Sequence, residues 1–166
     1  MSEESARTAA ILARIDTVER RLTEQAERPL PPSREQPTSG DEERWDAGQI
    51  WAHMAEALFF HLGQARRIAA NPSPEPAPLG RPPTHEARLS AIEAGRYAPP
   101  AVHLERLRAG LAELRDFVRG LSPEAWSKRS RHMTRGEMDL HQVVMDFMLD
   151  HLDQHLAQLQ SLSEPV

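Results

Sequence analysis

Four amphipathic helices in an all-α bundle form the fold class that this 166-residue sequence predicts. Three observations carry it. Apolar residues recur at alternating three and four spacing in four separate segments, the period of a helix with one buried stripe. Proline clusters, which deny a helix its backbone donors, divide the first three of those segments. The connection between the second and third is about thirty residues long, enough to travel the length of a bundle and let those two helices run the same way. At this length a single domain over residues 1–166, with one core, is the default.

The first helix is expected from about Ser5 to Glu27, with Ile11, Ile15, Val18 and Leu22 on its buried stripe and Arg and Glu on the other faces. Pro29, Pro31, Pro32 and Pro37 then make residues 28–40 an extended connection. The second helix begins near Trp45 and reaches about Ala70. Its inward stripe runs Ile50, His53, Ala57, Phe60 or His61, Gln64 and Ile68, so His53 points into the bundle. His61 lies about 80° round from His53 and reads as a flank histidine. Residues 71–100 form the long connection, with a weak helix over Thr84–Ala94 that stops at Gly95 and lies across the body.

The third helix, about Ala101 to Arg119, carries Leu104, Leu107, Leu111, Leu114 and Val118 and no evident chemistry. Ser122, Pro123 and Glu124 read as the N-cap and first two positions of one short turn. Beyond it Lys128, Arg129, Arg131 and Arg135 surround His132 in a glycine-containing loop. One reading of that loop is a solvated basic surface. The other is a substrate-binding patch, in which His132, Arg131 and Arg135 steer an anionic small molecule into the end of the bundle. Thr134 and Glu137 have the spacing of a capping box, which starts the fourth helix at Met138 and carries it through Leu140, Val143, Val144, Phe147, Met148, Leu152, Leu156 and Leu159. His141 is turned away from the buried face of that helix and reads as peripheral.

Composition removes several function classes. A formal charge of -5 and a pI near 5.9 oppose binding to nucleic acid or to an anionic membrane. The chain has no cysteine, which excludes disulfides, a thiolate nucleophile and cysteine-type zinc sites, and fits a reducing compartment. The polar, acidic start MSEESARTAA does not resemble a signal peptide, and no run approaches the ~20 apolar residues of a membrane span. A soluble cytoplasmic protein acting on a small molecule is the expectation.

The chemistry concentrates in the stretch DFMLDHLDQHLAQLQ of the fourth helix. His151 and His155 stand one turn apart on a face that also carries Val144, Met148, Leu159 and Leu162, where leucines would be expected. Polar groups placed there require partners. Two imidazoles at this spacing can share a metal ion, although the Glu of the H-E-x-x-H pattern is absent. His53 supplies a third inward imidazole from the second helix. Glu56, three residues after His53, and Asp150, just before His151, are candidate acid/base groups or supports for the ligands, with solvated flank carboxylates as the plainer reading.

With those residues in hand, the chain resembles the DinB/YfiT-like superfamily of four-helix bundles, which includes the amino-terminal domain of mycothiol-dependent maleylpyruvate isomerase. The likeness rests on WDAGQIWAHMAE, on the GLSPEAW turn and on RGEMDLHQVVMDFMLDHLDQHLAQL with its H-x-x-x-H. It covers nearly the whole chain. The resemblance implies an up-down-down-up bundle with the long connection between helices two and three, a divalent metal on His53, His151 and His155, and a homodimer. Members of the family transfer low-molecular-weight thiols such as bacillithiol or mycothiol, or isomerise or hydrolyse small molecules.

Three neutral imidazoles leave an open position on a metal, the arrangement of a catalytic zinc site rather than a structural one. Zinc is the metal expected first, and nickel and iron suit the same ligands. A metal-dependent enzyme that activates a small thiol or water is thus the leading expectation. The alternative is a non-catalytic bundle that binds a small molecule or dimerises, with a structural metal or none.

Overall fold

The structure is a computed structural model and describes residues 2–164 of the chain. Helix α1 (Glu3–Ala26) begins on Ser2, whose hydroxyl accepts a hydrogen bond from the Ser5 amide. The proline-rich segment then runs extended into a 3-10 turn (Glu42–Arg44) and helix α2 (Ala47–Ala69). Strand β1 (Ala77–Leu79) and helix α3 (Glu86–Gly95) occupy the long connection. Helix α4 (Pro100–Gly120) follows, and a 3-10 turn (Pro123–Ser127) leads into strands β2 (Arg129–His132) and β3 (Gly136–Asp139). The chain closes with helix α5 (Leu140–Val144), a π-helical turn (Met145–Leu149) and helix α6 (Asp150–Ser163).

The bundle forms because each long helix buries one stripe. Ile11, Ile15, Val18 and Leu22 of α1 meet Leu107, Leu111, Leu114 and Val118 of α4, while α2 contributes Ile50, Met54, Leu58 and Leu62, and α6 contributes Leu152, Leu156 and Leu159. Helix α2 touches α3, α4, α5 and α6, which makes it the central element. Fifteen of its residues are buried, including the polar Gln49, His53 and Gln64. A helix buried nearly all round needs a partner for each polar side chain, and much of the site's architecture follows from that requirement.

Two features of the expected fold are corrected. The protein is mostly helical rather than all-α, because β1 pairs parallel with β2, and β2 pairs antiparallel with β3, in a three-stranded sheet. These strands are three or four residues long and hold only one buried side chain each, Leu79, Ser130 and Met138, too few to produce a period-2 signal. The basic segment expected as a loop is therefore a hairpin. The capping box at Thr134 and Glu137 does not form. Glu137 lies in β3 and pairs with Arg129 and Arg131, and the helix instead starts on Asp139, whose carboxylate accepts the Gln142 amide while the Gln142 side chain accepts the Asp139 amide. Strand pairing through Asp139 holds the preceding residues extended, so the next available cap begins the helix.

A buried ion pair fixes the start of α2. Asp46 caps the helix through Gln49, and its other carboxylate oxygen accepts from Ser33 and from Arg96 at the end of α3. Arg96 also donates to the carbonyls of Arg34 and Gln36, tying down the proline-rich segment. Burial acts to raise the Asp46 carboxyl, but the Gln49 amide and Arg96 outweigh it and hold it below the usual value. Gly48 is required there. A Cβ at that position would stand 2.1 Å from the Arg96 carbonyl oxygen.

Candidate metal centre

Three ring nitrogens meet where α2 crosses α6. His53 Nε2 and His155 Nε2 each lie 3.1 Å from His151 Nε2, and the three residues can offer ligand atoms all within 4.8 Å of one another. Two nitrogens bound to one tetrahedral zinc at 2.0–2.1 Å stand about 3.3 Å apart, so the spacing already fits a shared ion. His53 and His155 are buried, and His151 keeps an edge on an adjoining cavity. The preceding π-helical turn inserts one extra residue per turn just before His151, a distortion frequent at functional sites.

Hydrogen bonding makes His155 Nε2 an acceptor rather than a donor. Gln158 Nε2 donates to the Glu42 carbonyl at 2.7 Å, which fixes its amide so that Oε1 faces His155 Nδ1 at 2.9 Å. That oxygen only accepts, so Nδ1 carries the proton and Nε2 a lone pair. His53 has a parallel arrangement. Its Nδ1 faces Glu56 Oε2 at 3.5 Å, and both atoms are buried without a hydrogen bond among the described residues. His151 Nε2 has one hydrogen at most and cannot satisfy both neighbours. The His155 lone pair, turned toward the neighbouring rings in this way, suits a cation between them.

Burial pushes the His53 and His151 imidazoles well below their usual value, and the crowding of the rings with Arg88 nearby adds to the effect. His155 is also lowered by burial, opposed by its bond to Gln158 and by Glu42. All three are neutral at pH 7, the form that binds metal.

A cavity of about 380 Å³ opens on His53 and His151. Phe60, Phe147, Pro82, Pro83 and Met133 give it apolar walls, and Arg81 and Arg88 give it cationic ones. Arg88 pairs with Glu42, and Arg81 pairs with Glu56 while lying over the Phe60 ring at 3.8 Å. Burial lowers both guanidinium groups, Arg81 to about 10, and both stay charged at neutral pH. His61 and His132 stack on Phe147 at 5.2 and 5.0 Å.

Residues 4–159 match the model of the DinB superfamily. The chain belongs to that superfamily. The same fold appears in YfiT from Bacillus subtilis, described as a probable metal-dependent hydrolase with an unusual four-helix bundle topology, at 18% identity and a TM-score of 0.73 over 98% of this chain and 88% of that one. It appears again in a mycothiol-dependent maleylpyruvate isomerase, at 17% identity and a TM-score of 0.64 over 95% of this chain. This DinB-superfamily chain spans 61% of the length of that isomerase. No curated protein sequence matches it.

Among the residues singled out in the sequence, this member of the DinB superfamily brings His53, His151 and His155 together and sets Glu56 beside His53. Asp150 turns away and pairs with Arg14 at 3.2 Å. His132 lines the cavity, whereas Arg131 pairs with Glu137 and Arg135 with Asp146, both outside its lining. His141 sits against Trp126, clear of the triad. His61, assigned to the flank, lines the cavity, with Nδ1 donating to the Ala57 carbonyl at 3.0 Å.

Sequence reasoning missed Glu42, Arg81, Arg88 and Gln158. Only Gln158 had a signal available, since it follows His155 by three residues as Glu56 follows His53, on the same helical face. Glu42 and Arg81 come from connections whose path local patterns do not fix, and Arg88 from the short helix α3, whose placement on the bundle they do not fix either.

Proposed function

We propose that His53, His151 and His155 hold a divalent metal, zinc first and nickel or iron as alternatives, and that the protein is a metal-dependent enzyme acting on a small molecule in the adjoining cavity. The observation that carries this reading is the convergence of three neutral imidazole nitrogens, two of them on rings that line a cavity large enough for a substrate. A metal on three imidazoles supplies an open position at which water, or a low-molecular-weight thiol such as mycothiol or bacillithiol, is activated as a nucleophile.

The chain's own residues do the rest. Gln158 holds the His155 ring in orientation, Glu56 stands beside His53 Nδ1, and neutral His61, with Nδ1 committed to Ala57, keeps Nε2 as an acceptor on a ring that lines the cavity. Phe60, Phe147 and the two prolines limit water and offer a flat apolar bed. The names of the fold relatives, a hydrolase and a mycothiol-dependent isomerase, support either water or thiol as the nucleophile.

The reading extends to a single-domain, up-down-down-up bundle that works as a cytoplasmic homodimer. No described helix is long and apolar enough to cross a membrane. The test is metal content of protein purified without chelator, repeated on His151→Ala. Stoichiometric metal that is lost in the variant supports the site, and metal-free wild type rejects it. Incubation with mycothiol or bacillithiol and monochlorobimane then separates thiol transfer from hydrolysis. Metal-dependent acceleration over the background rate is expected for a transferase.

A further inference from the structure

Glu42 sits over the triad with no role in the scheme above. Its Oε1 is 3.8 Å from His53 Nε2, and its Oε2 is 3.7 Å from His155 Nε2, so the carboxylate straddles two of the three nitrogens. Four tetrahedral donors around one zinc stand about 3.3 Å apart, so a shift of under about half an ångström would bring an oxygen into that set. We infer that Glu42 is the fourth donor to the ion held by His53, His151 and His155, which rests on the metal site proposed above.

The chain holds Glu42 there by two independent links. Gln158, already bonded to His155, accepts no freedom in the turn because its Nε2 donates to the Glu42 carbonyl. Buried Arg88 holds Oε1 through an ion pair and is itself anchored by donating to the Pro83 carbonyl at 2.6 Å. Oε1 therefore stays with the arginine, while Oε2 is left turned toward His155. Trp45, next along from the turn, closes the outer wall with its ring centroid 5.0 Å from that of His53 and 6.5 Å from that of His155.

Charge argues in the same direction. Three neutral imidazoles do nothing to offset a dication, and Arg81 and Arg88 would repel it. Glu56 answers Arg81 and is turned to the far nitrogen of His53, so Glu42 is the carboxylate available to the ion. A carboxylate that shares itself between an arginine and a metal is also a weak donor. An incoming ligand could replace it at the metal, with Arg88 retaining it.

The test is a crystal structure of the zinc-loaded wild-type protein, together with zinc affinities of wild type, Glu42→Gln, Glu42→Ala and the exposed neighbour Glu43→Gln. Expected are Glu42 Oε2 within about 2.2 Å of the ion, an affinity loss of at least about tenfold in both Glu42 variants, and no loss in Glu43→Gln. Zinc bound by the three histidines with Glu42 beyond 3 Å, or Glu42 variants that bind as wild type does, would overturn this inference and leave the metal site standing. Wild type that binds no zinc at the histidines would overturn both. The wild-type structure decides even where a variant fails to fold.

Discussion

Gln158 Oε1 lies 2.9 Å from His155 Nδ1, one helical turn away, and the same amide donates to the backbone of Glu42 at 2.7 Å. A ligand histidine held through its second nitrogen is fixed in tautomer and orientation, and loss of such a partner typically costs 10–100-fold in metal affinity. Gln158→Leu is therefore expected to weaken zinc binding by about 10–100-fold while leaving the metal-free fold intact, because Gln158 is only half-buried. Competition against a chromophoric chelator measures this. Unchanged affinity would show that His155 is oriented by packing against Trp45 alone.

The buried imidazoles make the metal-free protein sensitive to acid. His61 is pushed down by burial to about 4 from an ordinary 6.5, with its bond to Ala57 acting the other way. Between those values the unfolded chain binds a proton that the folded chain does not, so stability is complete above about pH 6.5 and falls as pH drops toward 4. The gap is worth about 3 kcal/mol at ~1.4 kcal/mol per pH unit, and about 2 kcal/mol of it is gone by pH 5. His53, His151 and His155 shift in the same direction and steepen the fall. Urea unfolding of the metal-free protein at pH 7.5 and pH 5 should show the decrease, and His61→Phe should reduce it. Equal pH dependence in wild type and variant would count against a buried neutral His61.

The histidine triad was legible because its two strongest cues are local. His151 and His155 interrupt a leucine stripe at i, i+4, and His53 lies on the inward stripe of a helix whose apolar period is clear. The sheet was not legible, since RSRH and GEMD are governed by cross-strand backbone bonds rather than by their side chains. Nor was the true N-cap of α5. Thr134 with Glu137 and Asp139 with Gln142 both have capping spacing, and only the strand pairing decides between them. The π-helical turn lies within the apolar run Met145, Phe147, Met148 and Leu149, where adding one residue to a turn leaves no compositional trace. Phe147, within that turn, lies between His61 and His132.

Arg96 and Asp46, with side chains each only 2% exposed, form the most buried ion pair among the described residues. Removing one member of a buried pair leaves the other charge without a partner, which costs about 3–5 kcal/mol. Arg96→Met should lose about that much, and the Arg34 and Gln36 carbonyls lose their donor as well. Arg20→Ala breaks an exposed pair with Glu24 on α1 and should change stability by no more than about 0.5 kcal/mol. Urea denaturation of both variants tests the contrast. Comparable losses would mean that the α2 start is held chiefly by Gln49 and Ser33.

Gly80 joins β1 to the cavity wall and is under two separate constraints. Its φ of +95° is disfavoured for any L side chain, and a Cβ there would stand 2.7 Å from His132 Nε2. The first constraint is backbone strain worth about 1–3 kcal/mol, independent of what lies nearby. The second depends on His132, which would be driven off its stack with Phe147. Gly80→Ala should therefore destabilise the protein by more in the wild-type background than in a His132→Ala background, where only the strain remains. A double-mutant cycle measured by urea unfolding reads the difference as a coupling energy, expected at about 0.5–3 kcal/mol for residues in contact. A coupling near zero would mean that His132 moves aside freely, and that this wall of the cavity is not held in place by the glycine.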